Sequence, residues 1–466
     1  MKEVLTKTES LCPVCLSRIP AQRVVEGGDV YLEKNCPEHG DFKALIWRDA
    51  ELYRNWSQYS QQAVGPEKSL IDIARGCPYD CGLCPSHEAD TCTTVMEVTH
   101  NCNLNCPICF ASGNEDLRFE PDSDAIQDMY QTIIEAGGPY PVQISGGEPT
   151  IRDDLPTIVA LGKKLGFYHI QINTNGIRIA QDKEYLESLK ESGADLIYLQ
   201  FDGVSDDVYR TIRGRNLFDL KVRAISNCAE VKIGVVLVPT VVPNVNLHQL
   251  GEIVQFAKKW IPTVKGIHFQ PVSYFGRYPQ SPKDEDRVTL SDVLDGLVVQ
   301  TKGELKKANF VPRRCEDSHC SFSSFFVLME DGKLQARTDI AQESVSGFGY
   351  KKAPPAVTAR NFINRRWRLV NEETDQTEKG CGQCCGQNQD SWLRFRKREG
   401  TYYLTITGMP FQDVWTLDLH RLKRCCVHVV TNNKRLIPLC AFYVTSITGE
   451  RLYQNLPIDT ALSLTD

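Results

Sequence analysis

Two cysteine triplets of identical spacing constrain this chain more than any other feature. Cys77, Cys81 and Cys84 form C-x3-C-x2-C within "GCPYDCGLCPSH", and 25 residues later Cys102, Cys106 and Cys109 repeat it in "CNLNCPICF". Thiols this close together in sequence suit one metal centre per triplet, so the fold must carry each triplet on a loop able to wrap a cluster. The 19 cysteines in 466 residues exceed ordinary usage. In a reducing compartment that excess is better explained by metal thiolates than by disulfides.

The triplets differ in what surrounds them. "VMEVTH" reads as a strand leading into Cys102, which places the second triplet in a loop at a strand's carboxyl edge. Three thiolates bind three irons of a 4Fe-4S cluster and leave the fourth free for a small ligand. No such strand leads into Cys77, and Cys92 is near enough in sequence to add a fourth thiolate. Four protein ligands close a cluster, making a relay or a staple, with zinc as the alternative occupant. His87 is the other donor nearby, and in so polar a loop it is expected to be solvated.

Residues 1–60 read as a metal-stapled module, because so short a segment has difficulty stabilising itself with a core alone. Cys12 and Cys15, with Cys36 and His39, form a tetrahedral set suited to zinc or a rubredoxin-like mononuclear iron. Residues 61–92 form the segment of the first triplet. From 93 to 285 short apolar strands such as "PVQISGG", "HIQINTNG", "LIYLQFDG" and "GIHFQPVS" alternate with amphipathic stretches. Helix-separated strands imply right-handed crossovers and a parallel sheet, open or curled into a barrel, with functional residues at the strands' carboxyl ends. Gly137, Gly166 and Gly193 stand where left-handed helix C-caps are expected. Residues 286–466 form a cysteine-rich region with Cys315, Cys320, Cys381, Cys384, Cys385, Cys425, Cys426 and Cys440, enough for at least one more iron-sulfur site. Cys228, in the helical "RAISNCAE", reads as a buried inert thiol.

With 53 Lys plus Arg against 59 Asp plus Glu, nothing points to nucleic acid as a partner. The sequence has no apolar run of membrane-span or signal-peptide length, so a cytoplasmic protein is expected.

"CNLNCPIC" followed by "ISGGEPT" resembles the radical S-adenosylmethionine (SAM) superfamily. The resemblance implies an α/β fold with a partial (β/α)6 barrel, in which SAM chelates the open iron held by Cys102, Cys106 and Cys109 and is cleaved to a 5'-deoxyadenosyl radical. Gly146, Gly147, Glu148 and Pro149 match the family's GGEP segment, where glycine is expected to let backbone groups approach the methionine amino group. Asn173 and Asn175 in "NTNG", Gln200 and Asp202 in "QFDG", and Gln270 in "HFQP" match later strand ends and would line the adenosine and substrate sides of the cleft. Ile108 departs from the pattern, since an aromatic usually precedes the third cysteine.

The order of all these motifs, ending in "CCVHVV" and "IPLCAFY", resembles the group of archaeal tetraether lipid synthases and 7,8-dihydropterin methylases. It implies radical carbon-carbon bond formation, either alkyl coupling of lipids or methylation of a pterin, with auxiliary clusters and a reductant such as flavodoxin or ferredoxin. The lack of a long basic amphipathic helix favours the small soluble substrate. A peptide-modifying maturase and a non-catalytic iron-sulfur scaffold are the competing readings.

Overall fold

A computed structural model of the protein describes residues 2–59, 64–114, 119–338, 353–367, 369 and 398–453. Cys381, Cys384 and Cys385 lie outside the described residues. Alternation of buried with less buried side chains along Asp29–Cys36 marks the N-terminal module as a sheet with one covered face. Its strands β1 (Glu3–Leu11), β2 (Arg18–Glu26), β3 (Asp29–Cys36) and β4 (Gly40–Trp47) form an antiparallel meander in chain order. Helix α1 (Ala50–Ser57) follows, capped by the Asp49 carboxylate accepting from Leu52 N, and buries Tyr53 and Trp56. The module docks on the last third of the chain. Arg23 Nε donates to Asp418 Oδ2 at 2.7 Å, and Lys34 Nζ donates to the Val414 carbonyl at 2.6 Å.

Beyond it the strands are largely buried on both faces, as parallel strands covered by helices must be. They are β5 (Thr93–Glu97), β6 (Val142–Ser145), β7 (Ile170–Thr174), β8 (Leu196–Gln200), β9 (Gly234–Val238) and β11 (Val264–Pro271), with a short β10 (Thr240–Val241) paired to β11. Helices separate the six long strands. Helix α2 (Ser123–Glu135) buries Ile126, Met129, Tyr130 and Ile133, the spacing of one helical face. Gly137, Gly166 and Gly193 follow their helices at φ of 114°, 93° and 104°, the left-handed conformation expected of them.

All six strands are parallel, in the order β11-β9-β8-β7-β6-β5, the sheet of a partial (β/α)6 barrel. Strands from beyond residue 286 extend it on both edges. β14 (Tyr403–Gly408) adds in parallel to β11, and β15 (Val427–Val430) adds in parallel to β5. β12 (Phe322–Leu328) with β13 (Leu334–Ala336), and β16 (Leu436–Pro438), then finish the two ends antiparallel. Cys228 is fully buried on the helix Phe218–Val231. Among the described residues no helix is long and apolar enough to cross a membrane.

Candidate active site

The loop after β5 carries Cys102, Cys106 and Cys109, and the side chains of Asn114 and Arg277 hold it in place. Asn114 Oδ1 accepts from Cys102 N at 2.8 Å, while its Nδ2 donates to the carbonyls of Cys102 and Leu104, each at 3.1 Å. Arg277, beyond β11, donates from Nε to the Cys106 carbonyl at 3.0 Å and exchanges backbone hydrogen bonds with Cys109. The segment after β6 closes the loop from below. Gly147 N donates to Thr99 O at 2.7 Å and Glu148 N to Asn101 O at 2.8 Å.

This close approach explains both glycines. A Cβ on Gly146 would overlap the Thr99 carbonyl, and one on Gly147 would overlap the Asn101 carbonyl. Their immediate need is therefore contact with the cysteine loop's own backbone, in addition to any need of a ligand.

The three thiols line one cavity at the carboxyl ends of the strands, together with Gly146, Gly147, Glu148, Asn173, Asn175, Gln200 and Gln270. Ile108 lines it too, and so does Phe110, whose ring meets Tyr443 edge-on at 4.8 Å. An aromatic thus reaches the cavity from one residue after the third cysteine, not from the position before it. Pro149 and Asp202 are not on the wall. Pro149 opens the short helical turn Pro149–Ile151, and Asp202 lies fully buried behind the lining.

Asp202 instead holds a residue that motif matching passed over. Arg213 Nε and Nη2 donate to the two Asp202 oxygens at 2.7 and 2.8 Å. Arg213 is the one cationic side chain among the described residues lining the cavity. Burial raises the Cys106 thiol's pKa and the nearby Arg213 guanidinium opposes the rise. Burial also pushes the Cys102 thiol up to about 12.

Glu148 is buried and saturated. Its carboxylate accepts from Thr150 N, Thr150 Oγ1, Thr174 Oγ1 and Asn175 N, at 3.0, 2.6, 2.7 and 2.7 Å. Burial still raises its pKa against those donors. Because Glu148 is committed, and no further thiol or imidazole is found among the described lining residues, the donor set is three cysteines. That set fits a 4Fe-4S cluster with one iron open to a ligand.

Residues 96–257 match the radical SAM superfamily, and residues 4–48 match the HMPTM N-terminal zinc ribbon domain. The 7,8-dihydro-6-hydroxymethylpterin dimethyltransferase of Methanocaldococcus jannaschii is 36% identical over 94% of this chain and 93% of its own length. The chain belongs to the radical SAM superfamily. A probable GTP 3',8-cyclase of Methanothermobacter thermautotrophicus is 28% identical over 35% of this chain and 53% of its own. The solved structure of Streptococcus suis SuiB bound to S-adenosylmethionine covers 46% of this chain and 48% of that chain, with 18% identity and a TM-score of 0.38. As a radical SAM enzyme the protein uses SAM and a 4Fe-4S cluster, and Cys102, Cys106 and Cys109 are the residues in this cavity that would hold it.

Among the described residues, two further groups of side chains bring metal-binding donor atoms within 4.8 Å of one another. In the N-terminal module one turn brings Cys12 and Cys15, and another Cys36 and His39, so that the four donor atoms lie within 4.8 Å of one another. His39 Nδ1 is 3.4 Å from Cys36 Sγ and 3.7 Å from Cys12 Sγ.

The second group is Cys92, Cys315 and Cys426, whose sulfurs also lie within 4.8 Å of one another. Cys92 Sγ is 2.9 Å from Cys426 Sγ, which is 3.4 Å from Cys315 Sγ. Hydrogen bonding with Cys426 and Cys92 holds the Cys315 thiol well below its usual range. Cys92 was expected to complete the first triplet, and the structure brings it here instead. The cause is the β5–β15 ladder, which sets Thr93 opposite Val427 and makes Cys92 N donate to the Cys426 carbonyl at 2.8 Å.

Cys77, Cys81 and Cys84 line a separate small cavity with His87. His87 is buried, not solvated as its polar sequence context implied, because the chain entering β15 packs over it. Cys320 and Cys440 accept hydrogen bonds from Arg421 Nη2 and Gln412 N, both at 3.3 Å.

Proposed function

We propose that the protein methylates carbon on a 7,8-dihydropterin by radical SAM chemistry. The observation that carries this reading is the 36% identity, across 94% of the chain, to a dimethyltransferase of 7,8-dihydro-6-hydroxymethylpterin. The cavity supports it. Tyr198, Phe275 and Phe110 offer aromatic surface to a flat heterocycle, while Asn173, Gln200 and Gln270 offer the paired donors and acceptors that a pterin edge demands. When bound, SAM and the cluster supply a one-electron route to hydrogen abstraction from an unactivated carbon. The protein's part is to hold the cluster loop through Asn114 and Arg277, place charge with Arg213, and set the amides along the wall.

We assign zinc to the Cys12, Cys15, Cys36 and His39 site, in keeping with the ribbon family it matches. An auxiliary 4Fe-4S cluster falls to Cys77, Cys81 and Cys84, and a further metal centre to Cys92, Cys315 and Cys426. A flavodoxin or ferredoxin in the cytoplasm is the reductant in this reading.

The test is anaerobic incubation of the reconstituted protein with 7,8-dihydro-6-hydroxymethylpterin, SAM, a reductant and a folate-type methylene donor. Mass spectrometry is expected to find the pterin heavier by one or two methyl groups. Formation of 5'-deoxyadenosine without any methylated pterin refutes the substrate and leaves the radical chemistry standing.

A further inference from the structure

Among the described residues, the first triplet's cavity has few donors besides its thiols. Cys77, Cys81 and Cys84 share the cavity wall with Asp80, Ser86 and His87. Asp80 is already committed, since its Oδ2 accepts from the backbone N–H groups of Ala74, Arg75 and Gly76. A neutral serine hydroxyl is a poor ligand for iron beside thiolates and imidazole. Cys92 is engaged with Cys315 and Cys426. His87 remains.

The protonation of His87 follows from its neighbours. Its Nε2 lies 2.7 Å from the Cys425 carbonyl oxygen, which can only accept, so Nε2 carries the hydrogen. The same nitrogen lies 3.2 Å from His428 Nε2, and His428 Nδ1 lies 3.1 Å from Thr91 Oγ1. With His428 donating from Nδ1 to Thr91, its Nε2 lone pair also faces the His87 Nε2–H, which is then shared between the Cys425 carbonyl at 2.7 Å and, more weakly, His428 Nε2 at 3.2 Å. Both hydrogen bonds of the His87 ring therefore use Nε2. Its Nδ1 keeps a lone pair and has no hydrogen-bond partner among the described residues. A ring with one nitrogen donating to a backbone carbonyl and the other free is the arrangement that orients a histidine for metal ligation.

We infer that His87 Nδ1 is the fourth ligand of the centre held by Cys77, Cys81 and Cys84, making it a three-cysteine, one-histidine site. This rests on the proposed auxiliary cluster at that triplet. The same ring then links two centres. Its Nε2–H bonds the carbonyl of Cys425, whose next residue is Cys426 of the Cys92, Cys315 and Cys426 group. Imidazole in place of thiolate raises the potential of an iron-sulfur centre, so this cluster is easier to reduce than one with four cysteines.

The experiment uses full-length, fully reconstituted protein grown with 15N-histidine, reduced, without SAM so that its amino nitrogen cannot contribute. Pulsed EPR is expected to show a histidine 15N coupling in the wild type that is absent from His87→Cys at unchanged iron and sulfide content. The redox titration of His87→Cys is expected to move one centre to lower potential. No histidine coupling in the wild type overturns the proposal, as does a coupling that survives unchanged in a loaded His87→Cys. If His87→Cys does not load, the labelled wild-type spectrum alone decides, with Cys81→Ser as the control that must abolish the same coupling. Iron content tests the underlying cluster separately: Cys81→Ser is expected to lose about four irons per chain, and no loss removes the cluster itself.

Discussion

Asp202 exists in this fold to hold Arg213, and replacing it with Asn separates what the pair does for stability from what it does for the cavity. Both partners are buried, Asp202 fully and Arg213 at 8% exposure, and they share two hydrogen bonds of 2.7 and 2.8 Å. Asp202 Oδ1 also accepts from Thr240 N at 3.1 Å, so the carboxylate ties β8's end to β10. Removing one partner of a buried pair leaves the other charge uncompensated, which costs about 3–5 kcal/mol. Asp202→Asn is therefore expected to lose that much in anaerobic urea denaturation of the loaded protein. Asp202→Leu combined with Arg213→Met removes both charges and is expected to recover most of the stability.

SAM retention, measured by equilibrium dialysis, should not recover with it. The double variant lacks the one cation among the described cavity residues, and a tenfold weakening corresponds to about 1.4 kcal/mol, a modest value for a buried charge. A loss below about 1 kcal/mol in Asp202→Asn, where the buried-pair range begins near 3, refutes the stability argument. Wild-type SAM affinity in the double variant refutes the role given to Arg213.

Gly147→Ala places a methyl group on the Asn101 carbonyl and is expected to release the cysteine loop, seen as reduced iron incorporation at the SAM cluster with the zinc content unchanged. Burial lowers the Lys265 ammonium to about 8, helped by Arg366, against an unfolded value near 10.5. The folded state then binds fewer protons between those values, so its penalty is full below pH 8 and disappears above about 10.5; Lys265→Met should flatten the rise of the denaturation midpoint with pH across that window. Cys36→Ser is expected to lower zinc by one ion per chain while iron stays constant, by elemental analysis. Cys228→Ala, in a fully buried helical position and in neither group of clustered ligand atoms among the described residues, is expected to leave iron, sulfide and zinc unchanged.

Local sequence carried most of the barrel because its signals are local. Apolar runs of strand length and glycines at helix ends each describe a few adjacent residues, and the structure places them as those residues imply, whereas of the GGEP segment it sets Gly146, Gly147 and Glu148 on the cavity wall and Pro149 off it. The partners of Cys92 were out of reach for the opposite reason. Its proximity to Cys426 depends on β15 adding to the edge of β5, a pairing across 334 residues that no spacing records. His87 was misjudged on the same ground, since a polar loop is solvated only if nothing packs on it.

Arg213, Asn114 and Arg277 belong to no short pattern. Arg213 reads as one more charge on an amphipathic helix, Asp206–Arg213, until its bidentate partner is seen. A signal for it did exist. Asp202 at a strand end, followed within a dozen residues by Arg210 and Arg213, is an arrangement a buried ion pair would use, although the sequence alone does not say which arginine answers.

The central claim is that three thiolates hold a cluster with a coordination position left for SAM. Reconstituted anaerobically and given SAM and dithionite, the wild-type protein should form 5'-deoxyadenosine while Cys106→Ala, equally soluble, forms none. Equal yields from both, or no 5'-deoxyadenosine from a fully loaded wild type, would contradict the account.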